Sequence, residues 1–361
     1  MMNHREVIER TIAYMNSGDV SEEAFNEHAL FLFTYQFTNN KVYQKFCRQK
    51  GKTLRSVKDW KSIPPVPVDA FKQLPLTCMP VEEAEAVFMT SGSTSGVPGK
   101  HYHPSLEVYD RSMILNFAEH VMKDREKLRM AIVYPTAEAM PNSSLAHYLG
   151  LAKREFGRED SAYCFDENGI ESEKLFTMLA EAESSQEPIF LLGASYSFVH
   201  LFDMLAEADL RFTLPEGSMI FDTGGYKNQS EELDLDTFYQ RLQENFGVDR
   251  KDCINMYGMT ELSSQFYDSG NARVPARKFG PHWIRSLVVD PLTGEEKPAG
   301  EKGILIHYDL ANINSVIGIM TEDIGRKEGE GFYLFGRAEG AEAKGCSMAL
   351  DSFLQATRGG E

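Results

Sequence analysis

Short apolar runs, each long enough for one buried strand, recur through the middle of this chain at 86–89, 130–134, 189–192, 218–221 and 253–256. Segments of helical length and spacing, at 106–122, 173–183, 197–208 and 233–246, lie between some of them. Runs of four or five apolar residues with no polar alternation need cover on both faces, and strands alternating with helices supply it. The rhythm predicts an α/β protein with largely parallel sheets and flanking helices, whose ligands bind beyond the carboxyl ends of the strands.

Other rhythms flank this core. Residues 1–70 read as a helical layer, with Phe25, Ala29, Leu32 and Phe33, then Val42, Tyr43 and Phe46, at helical spacing. Ile63-Pro64-Pro65-Val66-Pro67-Val68 holds too many prolines for a helix and reads as an extended crossing. Beyond 280, short runs at 284–289, 303–308, 316–320 and 332–335 are joined by turns such as Asp290-Pro291-Leu292-Thr293-Gly294. They predict a small β-rich subdomain. A chain of 361 residues exceeds what one core normally supports. The expected division is a helical layer at 1–70, an α/β core at 71–280, a β-rich subdomain at 281–335 and a short tail at 336–361.

A net charge of −17, with no block of Lys and Arg, speaks against nucleic acid and anionic membranes as partners. It leaves a phosphate ligand open, because that needs only local donors and a metal ion. The five cysteines are odd in number and show no CxxC spacing, so they form neither a disulfide framework nor a zinc site. The first residues lack the apolar stretch of a signal peptide, and the longest uncharged stretch, 188–202, is 15 residues and too polar to span a bilayer. A cytoplasmic protein is expected.

Two segments carry chemistry, and each follows an apolar run. In Thr90-Ser91-Gly92-Ser93-Thr94-Ser95-Gly96-Val97-Pro98-Gly99-Lys100, small residues free backbone N–H groups to turn inward, while hydroxyls and Lys100 add donors and charge. That is a phosphate cradle. It is not a Walker loop, which would need Gly at 94 and Ser or Thr at 101, where Thr94 and His101 stand. Its plain alternative is a flexible hairpin tip. In Tyr257-Gly258-Met259-Thr260-Glu261, an aromatic ring suits an adenine face, and a hydroxyl with a carboxylate suits Mg²⁺ between phosphates. The plain alternative there is a helix entrance capped by Thr260.

In chain order, the Ser/Thr/Gly loop, Asp222-Thr223-Gly224-Gly225-Tyr226, Tyr257-Gly258-Met259-Thr260-Glu261, Thr321-Glu322-Asp323-Ile324-Gly325 and Gly336-Arg337 resemble the motif series of the adenylate-forming superfamily. That superfamily includes acyl-CoA synthetases, luciferase and peptide-synthetase adenylation domains. The ending Gly336-Arg337-Ala338-Glu339-Gly340-Ala341-Glu342-Ala343-Lys344-Gly345-Cys346-Ser347, with the short length, is similar to the LuxE-type acyl-protein synthetases, which supply activated fatty acid to the reductase of bacterial bioluminescence. The resemblance runs from about Phe71 to the end.

The resemblance implies the N-terminal core of an adenylate-forming enzyme that uses ATP and Mg²⁺ to turn a carboxylic, most naturally fatty, acid into an acyl-adenylate. Ser91, Gly92, Ser93, Thr94, Ser95, Gly96 and Lys100 would close over the β- and γ-phosphates. Gly224, Gly225 and Tyr226 would flank adenine with Tyr257 and Gly258. Thr260 and Glu261 would attend the α-phosphate and the metal, and Asp323 the ribose hydroxyls with Arg337 beside it. Cys346 would accept the acyl group for delivery to an acyl reductase, Lys344 lowering the thiol pKa and Gly345 freeing the chain to swing. A small buried apolar role is the alternative for Cys346.

Two departures stand out. Pro98-Gly99-Lys100 occupies a place where the superfamily has Pro and Lys adjacent, and the mobile C-terminal domain that carries a catalytic lysine is expected to be lacking. Its charge would fall to Lys344 or a partner protein. Gly193, Ala194 and Tyr196 are candidates for the acid channel, with strand–helix packing as their alternative; residues 141–145 and His147 are candidates for a gate. Two rival functions stay open: an AMP-forming acyl-CoA ligase, and a non-catalytic nucleotide- or acyl-binding subunit.

Overall fold

The computed structural model describes residues 2–91, 96–224 and 233–358. The chain forms two compact units, one made of Met1–Met113, Met259–Ser264 and Phe279–Glu361, the other of Ile114–Gly258 and Gln265–Lys278.

In the first unit, helices His4–Ser17, Glu22–Asn39 and Lys41–Gln49 form the helical opening. Asn3, Ser21 and Asn40 each accept a backbone N–H at a helix start, satisfying donors that have no partner within the helix. The proline-rich crossing is extended, and Val66 and Pro67 pair in parallel with Ile319 and Met320. Strands Ile284–Val289, Lys302–Asp309, Gly318–Glu328 and Gly331–Arg337 pair antiparallel in that order. The third runs well past residue 320, where its apolar run stops, because ladder pairing resumes across a register shift, Asp323 opposite Arg337 and Ile324 opposite Ile304. Helix Gly340–Arg358 follows, its Phe353 ring 4.8 Å from Phe46. The short tail is therefore a packed helix.

The run at 86–89 belongs to this unit and not to the parallel sheet. Strand Ala86–Met89 pairs antiparallel with Lys100–His103, so the Ser/Gly-rich loop is the tip of a hairpin. Ten residues between them leave no room for a crossover helix.

The second unit holds a six-stranded sheet in the order Phe266–Tyr267, Cys253–Tyr257, Met219–Thr223, Ile189–Ala194, Arg129–Val133 and Ala162–Tyr163. All neighbours in it pair in parallel except the edge pair involving Phe266–Tyr267. Helices Ser172–Ser185, Ser195–Glu207 and Leu235–Phe246 supply Leu175, Phe198, Phe202, Phe238 and Leu242 to a core shared with Leu191 and Ile220. Helix Ser144–Phe156 is a further element, capped by Ser143, so part of the region read as a gate is a helix start. Among the described residues, no helix is long and apolar enough to cross a membrane.

Candidate active site

The hairpin and the Thr260–Glu261 motif meet within the first unit. Thr90 N–H donates to Gly99 O at 3.0 Å and Gly99 N–H to Thr90 Oγ1 at 2.8 Å, closing the base of the loop. A Cβ on Gly99 would stand 2.9 Å from Glu261 Oε1, so a glycine at this position lets the loop base seat against the buried carboxylate. The residue that interrupts the expected Pro-Lys pair is the one that makes this approach. Ser91 and Gly96 are exposed at the two ends of the loop, Gly96 at φ +72°, and Lys100 is exposed on the second strand. Gly92, Ser93, Thr94 and Ser95 lie outside the described residues.

Glu261 is held by groups from the end of strand Lys302–Asp309 and the loop after it. Asn312 Nδ2 donates to Glu261 O at 2.8 Å, and Asn312 Oδ1 accepts Ser263 N–H at 2.9 Å. Buried Asp309 accepts the N–H groups of Ser263 and Ser264 at 2.9 and 2.8 Å and the Ser264 hydroxyl at 2.7 Å. On the other side, His101 Nδ1–H donates to Thr260 O at 3.0 Å while its Nε2 accepts from Ser315 Oγ at 3.0 Å. Burial pushes His101 down to about 4, so it is a neutral, single-tautomer clamp at ordinary pH.

The charges around Glu261 are out of balance. Lys72 Nζ pairs with Asp69 at 2.7 Å, and Arg337 Nη1 with Glu322 at 2.9 Å while its Nε lies 3.8 Å from Asp323. Burial lifts the Glu261 carboxyl to about 7, against the pull of Lys72 and Arg337, and Asp69 adds to the rise. Burial and Asp69 likewise raise Glu322. Four carboxylates thus face two cations. His101 and Asp309 escaped the motif reading as functional residues because each stands far in sequence from what it touches, Lys72 because it belongs to no motif, and Glu322 because it stands inside a motif with no role given to it.

Cys346 stands beside that cluster, against strand Gly318–Glu328. Its Sγ is buried 3.8 Å from Thr321 O, beside a cavity of about 30 Å³ lined by Asp69, Thr321, Glu322 and Ser347 among others. Burial, then Glu322 and Asp69, push the thiol up to about 11, so the charges acting on it oppose the activation expected from Lys344. Lys344 itself is exposed. Gly345 is no swivel here: it sits inside helix Gly340–Arg358, where a Cβ would stand 2.8 Å from Pro291 Cβ.

In the second unit, Gly224 and Tyr257 follow or end adjacent parallel strands, in the register Met256 opposite Thr223, with Thr223 Oγ1 donating to Met256 O at 3.2 Å. Gly224 is exposed at φ +79°, the Tyr257 ring lies 5.9 Å from that of Phe266, and Gly258 follows it, half-buried. Gly225 and Tyr226 lie outside the described residues. Under these strand ends, buried Asp222 accepts from Ser195 Oγ and Tyr239 OH, each at 2.9 Å, and from Asn255 Nδ2 at 2.8 Å. Lys278 Nζ, paired with Asp268 at 2.8 Å, also donates to Asn255 O at 2.8 Å. Gly193 and Ala194 are buried, and a Cβ on Gly193 would stand 2.5 Å from Val133 Cγ2, so Gly193 permits close strand packing. Half-buried Tyr196, raised to about 12 by burial, lies beside Tyr134.

No group of three or more His, Cys, Asp and Glu side chains among the described residues forms a metal-holding cluster. The charge deficit around Glu261 nevertheless suits Mg²⁺, which is commonly held by one or two carboxylates together with substrate phosphates.

This architecture is that of the adenylate-forming ligases. A 2-hydroxyisobutyryl-CoA ligase in an open conformation with 2-HIB-AMP and CoA matches with a TM-score of 0.64 at 15% identity, over 88% of this chain and 74% of that one. The same ligase in its postadenylation state matches at 0.62, with 15% identity, over 88% and 67%. Two proteins described as long-chain-fatty-acid–luciferin-component ligases are each 24% identical to it: one from Vibrio harveyi, over 91% of this chain and 87% of its own length, and one from Aliivibrio fischeri, over 90% and 86%. The model of the family "Acyl-protein synthetase, LuxE" matches residues 6–355, and the chain belongs to that family of ligases.

Proposed function

We propose that this enzyme activates a long-chain fatty acid with ATP, releasing pyrophosphate, and passes the acyl group from the adenylate to Cys346 for delivery to an acyl reductase. The observation that carries the first step is the seating of the hairpin base on Glu261, which brings the phosphate-loop motif and the acidic motif together in one unit. The long-chain acid is taken from the names of the Vibrio and Aliivibrio relatives.

In this reading a carboxylate oxygen attacks the α-phosphorus, the bond from phosphorus to the bridging oxygen breaks, and pyrophosphate leaves with the electron pair. The hairpin and Lys100 bind the β- and γ-phosphates, Thr260 and Glu261 stand at the α-phosphate, and Gly224 and Tyr257 serve the adenine. Asp323 and Arg337 serve the ribose side, and Ala194 and Tyr196 the acid. Glu261 would hold Mg²⁺, which when bound offsets repulsion between the acid and the triphosphate. In the second step a Cys346 thiolate attacks the acyl carbon and AMP departs. A thiol held at about 11 is almost entirely protonated at neutral pH, so transfer needs the sulfur out of its buried seat and away from Glu322 and Asp69. That raised thiol also favours one rival, transfer to coenzyme A with Cys346 inert.

Acid-dependent pyrophosphate release, measured across a panel of fatty acids, tests the first step. Labelled acid should stay on the denatured wild-type protein, be released by hydroxylamine, and be absent from Cys346→Ser. Equal label on Cys346→Ser sinks the thioester; acyl-CoA formation without protein label favours the rival; ATP binding with no release for any acid leaves a binding subunit.

A further inference from the structure

Lys72 stands at the centre of the acidic cluster and belongs to none of the recognised motifs. It lies on the one-turn helix Ala70–Gln73, just after the proline-rich crossing pinned by Val66 and Pro67 to the antiparallel sheet. Its side chain is only 15% exposed. The stem runs along the hairpin base, with Cγ 3.6 Å from where a Gly99 Cβ would be, the same empty place that Glu261 Oε1 approaches to 2.9 Å. A missing side chain therefore brings a lysine stem, a buried carboxylate and the root of the phosphate loop to one point. The ammonium pairs with Asp69 and acts on both Glu261 and Glu322.

A lysine sequestered this way loses hydration and side-chain freedom for a single ion pair with a near neighbour in sequence, which returns little. A surface lysine would serve that pair equally well. Its position is explained by the loop it lies against, because an ammonium that is already dehydrated and fixed meets new negative charge without reorganising.

We propose that Lys72 is a catalytic cation of the adenylation step. Resting on the adenylation reading above, the assignment is that Lys72 exchanges Asp69 for oxygens of the triphosphate and stabilises the charge that builds as the carboxylate adds to the α-phosphorus and the bond to pyrophosphate breaks. It keeps its proton throughout, and the leaving group takes the electron pair. Lys344, exposed on its helix, and Lys100, exposed on the hairpin, lack this enclosure.

The test separates the two half-reactions in the full-length protein. Lys72→Met should slow acid-dependent pyrophosphate release by about a hundredfold or more in kcat, with a smaller change in KM for ATP. Acyl transfer from pre-formed tetradecanoyl-adenylate should fall far less, by no more than the unpaired Asp69 adds to the hold on the Cys346 thiol. Lys72→Arg should recover part of the loss, since charge returns but the point geometry does not. In the unsubstituted protein, saturating ATP with Mg²⁺ should protect Lys72 from acetylation by an N-hydroxysuccinimide ester, read by mass spectrometry, so a variant that folds poorly does not decide the matter. Wild-type pyrophosphate release in Lys72→Met, equal loss of both half-reactions in a variant that melts like the wild type, or no protection by ATP each overturn the assignment. Wild-type silence toward every acid instead removes the adenylation reading and takes the assignment with it.

Discussion

Asp222 offers a quantitative check on the buried network beneath the strand ends. Burial lifts its carboxyl from the ordinary 3.8 to about 6, opposed by the donors Asn255, Ser195 and Tyr239 and by the charge of Lys278. Between those two values the unfolded chain has released the proton and the folded chain has kept it, so the folded state binds more protons and this group's contribution to stability falls as pH rises from about 4 to about 6. A gap of about two pH units at ~1.4 kcal/mol each amounts to about 3 kcal/mol. Asp222→Asn should erase that slope. The variant is sterically mild: the amide oxygen can keep the Ser195 and Asn255 donors while Tyr239 rotates its hydroxyl to accept. Trp60 and Trp283 are the two tryptophans and both lie in the other unit, so fluorescence would report the wrong part of the molecule. Hydrogen exchange at Met219–Thr223, compared between variant and wild type at each pH, reads the right one. The protection of the variant relative to wild type should rise by about a hundredfold from pH 4 to 7. A ratio independent of pH would show that three donors and Lys278 cancel the burial cost. A ratio that falls would mean the carboxyl is held below its ordinary value, and the reasoning here would be wrong in sign.

Three glycines give sharper steric tests. Gly99→Ala must displace Glu261 Oε1, so pyrophosphate release should fall by roughly tenfold or more, while melting temperature changes little because only a side-chain end has to move. An unchanged rate would break the proposed link between loop and carboxylate. Gly345→Ala pushes helix Gly340–Arg358 off Pro291 and should speed iodoacetamide labelling of Cys346, measured by mass spectrometry; labelling no faster than wild type counts against a docked, shielded thiol. Gly193→Ala drives a methyl into Val133 and should cost about 1–3 kcal/mol by urea titration of the second unit, and a neutral result would show that the strands can part there.

The parts of this fold that were legible are those written in local periodicity. Strands such as Ile189–Ala194 are continuous apolar runs, and helices such as Leu235–Phe246 repeat their apolar residues every three to four positions. Where the signal is weaker, the reading fails for identifiable reasons. Strand Gly318–Glu328 hides beyond residue 320 because its second half is polar and charged, and helix Gly340–Arg358 begins with Gly340, Ala341, Ala343 and Gly345, too small to draw an apolar stripe. The hairpin strand Ala86–Met89 looks like its parallel counterparts, since four apolar residues carry no record of what they pair with.

The site divides along the same line. Glycine-rich loops and the Tyr257–Glu261 series are contiguous, so their chemistry shows in sequence, but what positions them does not. His101 reaches Thr260 across a separation of 159 residues, and Asp309 reaches Ser264 across 45. Neither His nor Asp in isolation has a preferred pattern that marks such a contact. The same holds for Gly99, which as a letter is an anomaly between Pro98 and Lys100. Once the chain is folded it is the position where absence of a side chain admits Glu261 and the stem of Lys72 together. Under the proposed function, this departure from a motif is the point where loop, carboxylate and lysine would act together, and comparing Gly99→Ala with Lys72→Met tests whether the two residues act on one step. If they do, the double variant should lose no more pyrophosphate release than the worse single one; losses that multiply would make them independent.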